Sequence, residues 1–481
     1  MAELTPQQYT AVHNRGGKLL VSAAAGSGKT MVLVERLMQY ILDPVSPANI
    51  DDFLIITYTK AAASELRQKI SKKLSERLAE DATNRHLRRQ LQRIYLAKIS
   101  TVHGFCTDIL RENAYRLDIP GDFRVAEDEE CAEMQEQVLQ QILEECYAEI
   151  DLDDTFRTVV DTQGFGRDDR KLPQIIFSIY KSSRCHLNPD AWLEDCIRDS
   201  EIADVTDAAH TVWGKYLIDD LHQTLDMHIS AMRKCVEAAN GSLGMEKASV
   251  LLQTNVEQLC ALRNCDTWAD TSAHIIQSFG TLTFGKNADS ELKDRIKAVR
   301  DACKSAVTEK QKAFKYDNYQ VLMELRACSP VVQGLVSLVR KFADRYSKRK
   351  QSRHVLDFAD LEHKTLDLFY GKQRTGITAV AGEIGKRFRE VMVDEYQDSH
   401  AVQEAIFDAL TREKDNCFMV GDVKQSIYQF RLADPSLFLQ KYNDYVPAQQ
   451  AMNGQGRKVL LTKNFRSSAG VISGVNDVFT K

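Results

Sequence analysis

Lys29 and Thr30 follow a run of small residues, Ala23-Ala24-Ala25-Gly26-Ser27-Gly28. An apolar stretch, Leu19-Leu20-Val21, comes before them and a helical pattern, Met31 to Leu42, comes after. The order is strand, small-residue loop, helix start. Such a loop aims several backbone N–H groups at one point, and the helix N-terminus adds partial positive charge there. Lys29 can reach the β/γ-phosphates of a nucleotide, and the Thr30 hydroxyl can ligate Mg²⁺. Ala25, Gly26, Ser27 and Gly28 form the cradle. Ala23 stands where this phosphate-loop pattern usually opens on glycine. Gly26 and Gly28 remain where the backbone must come closest.

A second group lies far along the chain, at Val391-Met392-Val393-Asp394-Glu395-Tyr396-Gln397-Asp398. An apolar strand ends and carboxylates follow at its C-terminal end, where open α/β sheets place their chemistry. Asp394 can hold Mg²⁺ through water, and Glu395 can orient and deprotonate an attacking water. An acidic pair after a strand is often only a solvated turn. Joined to the lysine loop it reads as a hydrolytic ATP site.

Elements must bring these distant groups together. The chain has 481 residues, enough for two or more domains. Residues 1 to about 115 alternate short strands and helices, with strands at Leu19–Val21, Phe53–Thr57 and Lys98–Thr101. The alternation returns from about 354 to 481, with strands at Val391–Val393, Cys417–Val420 and Val459–Leu461. Between them, residues 116–353 show apolar residues at helical spacing and no proline from Pro189 to Pro330. The expected fold is α/β: one doubly wound, parallel-sheet domain built from both flanks and interrupted by a large all-α insertion.

Composition narrows the class. Net charge is −5, which speaks neither for nor against nucleic acid. The 11 cysteines include no CxxC pair, which fits reduced thiols and a cytoplasmic setting rather than a metal framework. The N-terminus does not read as a signal peptide, and no apolar run approaches membrane-spanning length. Charge is segregated: residues 67–98 carry ten Lys/Arg against three Asp/Glu, and 340–353 carry seven against one. Residues 127–154 carry twelve acids and no Lys/Arg. The basic runs read either as solvated helix faces or as contacts to a phosphate backbone. The acidic helix should face away from nucleic acid.

Several further segments resemble a known family. Thr5-Pro6-Gln7-Gln8-Tyr9 looks like a Q-motif, Thr57-Tyr58-Thr59-Lys60-Ala61-Ala62-Ala63-Ser64-Glu65-Leu66 like TFTN-x-AA-x-EM, and Ser100-Thr101-Val102-His103-Gly104-Phe105-Cys106 like TFHSFC. Leu356-Asp357-Phe358-Ala359-Asp360-Leu361 resembles DFxDL, and Gly421 to Arg431 resembles GDxxQSIYxFR. Leu461-Thr462-Lys463-Asn464-Phe465-Arg466-Ser467 resembles LxxNFRS. Together these resemble superfamily-one DNA helicases of the UvrD/Rep/PcrA type. Within them the chain looks most like the N-terminal part of the AddA helicase–nuclease family. Lys60 departs from the usual Asn, and Tyr58 replaces Phe.

The resemblance implies a RecA-like P-loop domain that binds ATP and Mg²⁺. Gln8 would pair with the adenine edge, since an amide both donates and accepts. Phe465 would stack on adenine, Arg466 would reach the γ-phosphate, and Gln425 would sense it. Tyr58, Thr59, Thr101, His103, Tyr428 and Phe430 would touch single-stranded DNA, the aromatics by stacking on bases. Core packing is the alternative for Tyr428 and Phe430, and a structural role for His103. The implied activity is a 3′–5′ ATP-dependent helicase processing duplex ends for recombinational repair, with an AddB-like partner protein. By the same resemblance a second RecA-like domain and a nuclease domain would lie beyond Lys481, so the chain reads as a piece of a longer protein, itself monomeric. A stand-alone UvrD-like repair helicase, or a nucleotide-gated DNA-binding module without productive ATPase, are the competing readings.

Overall fold

The computed structural model describes residues 4–150, 153–163, 171–427 and 433–479. Its strands are β1 (Leu19–Ala23), β2 (Phe53–Thr57), β3 (Lys98–Thr101), β4 (Arg124–Val125), β5 (Val355–Leu356), β6 (Glu390–Val393), β7 (Cys417–Gly421), β8 (Val446–Pro447) and β9 (Arg457–Leu461). Seven of them form one sheet in the order β3-β2-β6-β7-β1-β9-β8, with every pairing parallel. β1 lies between β7 and β9, so a strand from the start of the chain completes its ladders with strands from the end. The two flanks fold together, as the interrupted alternation predicts.

The strands read as continuous apolar runs because both faces are covered. β2 is buried at all five positions, and so is β7. Alternate residues point to opposite faces. Leu19, Val21, Phe53, Ile55, Met392, Phe418 and Val420 enter one core. Leu20, Leu54, Ile56, Val391, Val393 and Met419 enter the other. A buried ion pair clamps the first core: the Arg36 guanidinium donates to both carboxylate oxygens of Glu390 at 2.8 and 2.5 Å. Its remaining nitrogen donates to the Ala11 and Asn14 carbonyls, both at 2.7 Å. The first helix, Pro6–His13, is thereby tied to the helix Lys29–Ile41.

The chain divides into two compact units. The first comprises residues 1–144, 175–190 and 340–481, and the second 145–174 and 191–339. These limits differ from the boundaries at 116 and 353 read from the sequence. The reason lies just past residue 116: Leu117 and Phe123 enter the second core of the sheet, and β4 pairs in parallel with β5. The second unit is helical, with a core of Leu221, Leu225, Met232, Leu252, Leu259, Leu262, Trp268 and Phe314. Its longest helix wholly within the unit, Val212–Ala239, starts where the Thr211 hydroxyl accepts from the Gly214 N–H at 3.0 Å. A Cβ at Gly214 would lie 1.8 Å from the Ala208 carbonyl oxygen, so only glycine fits that first turn.

The helix Asn318–Ser352 is the one described helix that passes for a membrane span by length and composition. That corrects the expectation that no apolar run approaches such a length. Val331, Val336, Leu338, Val339 and Phe342 within it are buried, but only 28% of its apolar window is.

Candidate nucleotide site and nucleic-acid face

The lysine loop opens at the C-terminal end of β1. Gly26 has φ 71° and Gly28 φ 90°, left-handed conformations that favour glycine. Gly26 has a second reason to be glycine. A Cβ there would lie 2.7 Å from Arg466 Cβ and 2.8 Å from Asn464 Oδ1. The segment after β9 is thus seated on the loop. Phe465 N–H donates to the Gly26 carbonyl at 2.9 Å, and Asn464 Nδ2 donates to the Ala25 carbonyl at 3.0 Å. Asn464 Oδ1 in turn accepts from the N–H of Arg466 at 2.8 Å. Phe465 is 54% exposed. Ser27 is buried, and its hydroxyl has no hydrogen-bond partner. Lys29 and Thr30 begin the helix that leaves the loop.

Gln8 is buried, and much of its amide is already engaged. Its Oε1 accepts from Thr5 N–H at 3.0 Å, closing a capping box, and its Nε2 donates to the Ser27 carbonyl at 3.1 Å. It holds the first helix against the loop. One N–H and one lone pair remain for a base edge.

The carboxylates arrive from β6. Asp394 N–H donates to the Ile56 carbonyl, and Asp394 Oδ1 accepts from Glu395 N–H at 3.0 Å. Burial first, and the charge of Glu395 second, push the Asp394 carboxyl up to about 6. Glu395 sits at φ 51°, ψ 43°, a left-handed conformation rare for a glutamate. Its Oε2 accepts from Lys29 Nζ at 2.6 Å and from Gln397 Nε2 at 2.8 Å. The two groups read from the sequence 366 positions apart are in direct contact. Gln425 follows β7 in a short turn, where its Nε2 donates to Asp422 Oδ2 at 2.6 Å.

The residues read as DNA contacts begin two helices at the same edge of the sheet. Thr59 caps Lys60–Glu80, accepting from Ala62 N–H at 3.0 Å. Thr101 caps Val102–Asn113, accepting from Gly104 N–H at 3.1 Å. Tyr58 is half-buried between β2 and the first of these caps. His103 packs on the Phe358 ring at 4.6 Å between centroids, with its Nε2 3.2 Å from Glu362 Oε1. Tyr428 and Phe430 lie outside the described residues.

Much of the basic run 67–98 has partners inside the fold, a third outcome beside the two read from the sequence. Arg67 donates to the carbonyls of Ile94, Ala97 and Ile99. Lys73 and Arg77 converge on Glu35. In the run 340–353, Lys350 is buried between Asp357 and Asp360.

Residues 4–446 match the UvrD/REP helicase N-terminal domain family. The chain belongs to that family. It is 35% identical to the AddA-type ATP-dependent helicase/nuclease of Acetivibrio thermocellus over 99% of its own length and 39% of the relative's. The protein of the same name from Pelotomaculum thermopropionicum is 37% identical over 99% of this chain and 38% of the relative. That from Oceanobacillus iheyensis is 35% identical over 100% and 39%. The chain spans about two fifths of the length of these curated relatives.

Three residues of this UvrD/REP-type site went without a role in the sequence reading. Gln397 bridges two strand ends: while Nε2 holds Glu395, its Oε1 accepts from Asp422 N–H at 2.9 Å. A Cβ on Gly421 would lie 2.4 Å from that oxygen, so glycine at 421 makes room for the bridge. Asp398 is buried with one oxygen unpartnered, and burial, then the charge of Glu395, push its carboxyl up to about 6. Asn464 seats the post-β9 segment on the loop. All three lie inside motifs already singled out, but nothing in spacing reveals the partner of an amide.

The donor set suits a divalent cation shared with phosphate. Asp394, Glu395 and Asp398 lie near Lys29, and burial first, then the charge of Glu395, pushes the Asp394 and Asp398 carboxyls up. Among the described residues no three His, Cys, Asp or Glu side chains group to hold a metal alone. Thr30 and Asp394 would therefore share Mg²⁺ with phosphate oxygens and water, the arrangement that ion favours.

Proposed function

We propose that this chain is the ATP-binding motor half of an ATP-dependent DNA helicase of the AddA helicase/nuclease type, 3′–5′ by family. Its substrates would be single-stranded and duplex-end DNA, in double-strand-break processing and recombinational repair, with an AddB-like partner protein. Residues 1–144, 175–190 and 340–481 are the motor domain in this reading, and the helical unit is its insertion. One observation carries it: Lys29 of the glycine loop meets Glu395 of the carboxylate turn at 2.6 Å, where β1 and β6 end.

Each residue has a task that its position supports. Gly26, Ser27 and Gly28 let the loop backbone close on phosphate, with Ala25 held by Asn464. Lys29 exchanges Glu395 for the β/γ-phosphates when a triphosphate enters. Glu395 is then released to accept a proton from the attacking water, while Gln397 keeps its carboxylate in place. Thr30 and Asp394 would hold Mg²⁺, which would supply charge neutralisation on the phosphate oxygens. Gln8 and Phe465 take the adenine, one at its edge and one on its face. Gln425 and Arg466 read the γ-phosphate. Tyr58, Thr59, Thr101 and His103 line the single-strand path, and by the family resemblance alone Tyr428 and Phe430 would add rings to it, each stacked base being worth about 1–3 kcal/mol.

The test is phosphate release with and without a single-stranded oligonucleotide. Magnesium-dependent turnover that disappears in Glu395→Gln supports the reading. Nucleotide and DNA binding with no turnover under any condition would favour a nucleotide-gated binding module instead.

A further inference from the structure

Glu362 lies in the helix Phe358–Tyr370 and is 4% exposed. Its two oxygens are divided between two imidazoles. Oε1 is 3.2 Å from Nε2 of His103, and Oε2 is 3.3 Å from Nε2 of His400. Gln403 Nε2 also donates to Oε1, at 2.8 Å. Burial alone would raise this carboxyl, but the charge of His400 and the hydrogen bonds from both imidazoles hold it well below the usual range. A carboxylate taken out of water is costly unless paired, so both arms matter.

The two imidazoles come from different elements and meet at this one carboxylate. His103 follows Thr101 on the nucleic-acid face and keeps 34% of its side chain exposed. His400 immediately precedes the helix Ala401–Thr411 and ends the turn that carries Asp394, Glu395 and Asp398. Its neighbour Ser399 is tied back to that turn, donating its N–H to the Tyr396 carbonyl. His400 Nδ1 and Gln403 Oε1 are buried without partners among the described residues.

We infer that Glu362 is a positioning residue that couples the two faces. It ties His103, where a strand would lie, to His400, at the end of the turn that faces the nucleotide. The inference rests on the proposed function, in that it takes His103 as a single-strand contact and Asp394 and Glu395 as nucleotide-side groups. Glu362 touches neither ligand. Its effect is on the linkage between them.

The experiment is a binding-linkage square on this chain. The affinity for a fluorescent single-stranded oligonucleotide is measured with and without a saturating non-hydrolysable Mg–ATP analogue, then the reverse. The two ratios must agree, because equilibrium coupling is reciprocal. The unaltered chain should show a linkage factor of about 5 or more, the lower range of ordinary allosteric coupling. Glu362→Met, which removes both arms and keeps the bulk, should bring the factor near one. The affinity for each ligand alone should stay within about twofold in that variant, since no phosphate contact is removed. His400→Asn retains a good helix-start residue and cuts only the second arm, so it decides the matter if the first variant misfolds. Linkage that survives in a folded Glu362→Met or in His400→Asn would overturn the inference, as would a factor of one in the unaltered chain. Failure of the unaltered chain to bind the oligonucleotide at all would instead overturn the proposed function beneath it.

Discussion

Glu395 occupies left-handed backbone, at φ 51°, ψ 43°. For a non-glycine residue that costs about 1–3 kcal/mol and persists only where neighbours enforce it. Here Lys29 and Gln397 hold the carboxylate, and Asp394 Oδ1 takes the Glu395 N–H. The Lys29 contact competes with phosphate. Glu395→Gln should therefore abolish turnover and yet tighten binding of a Mg–ATP analogue by about twofold to fivefold, the worth of a partly exposed ion pair. Weaker binding in that variant would contradict the competition. The raised carboxyls give a pH test. Asp398 rises from 3.8 to about 6 on folding. The folded chain thus binds more protons than the unfolded chain between about pH 4 and pH 6, and stability falls as pH rises through that window. Above about pH 6 the whole cost is present. Asp398→Asn should raise the melting temperature at pH 7.5 without metal, by an amount worth about 1–2 kcal/mol, and change little at pH 4. An equal effect at both pH values would contradict the assignment. At this scale the sequence singled out Lys29 and Glu395 by motif, and the structure puts them in contact at 2.6 Å. The role of Gln397 was not legible, because its second partner, the Asp422 N–H, is 25 positions away, just past the end of β7.

Among the elements, the strands were readable because parallel strands covered on both faces are unbroken apolar runs, and β2 and β7 are buried throughout. The unit boundary was not readable. β4 and β5 are two residues each, too short to leave a pattern. The helix Asp128–Ala148 shows the same amphipathic spacing whichever unit it joins. Nor could the sequence say which of its basic residues turn inward, as Arg67 and Lys350 do. The helix after the glycine loop depends on the buried Arg36–Glu390 pair. Removing one partner leaves an uncompensated buried charge, which costs about 3–5 kcal/mol. Arg36→Met should lower the denaturant midpoint of the first unit accordingly, followed by nucleotide binding, and Arg36→Met with Glu390→Met should recover most of the loss. A single variant as stable as the unaltered chain would show that the pair is not holding the first two helices.

For the whole molecule, the two units offer separate signals. Trp192, Trp213 and Trp268 all fall in the helical unit. Denaturation followed by tryptophan fluorescence should therefore diverge from denaturation followed by nucleotide binding, as multi-domain chains unfold in steps. Coincident curves would argue for a single cooperative unit. The central claim, a triphosphate site assembled from the glycine loop and the carboxylate turn, is tested most directly by equilibrium titration with a fluorescent ATP analogue and Mg²⁺. The account predicts saturable binding by the unaltered chain, and a loss of at least about tenfold, or 1.4 kcal/mol, in Lys29→Ala. Equal affinity in the two proteins would contradict it.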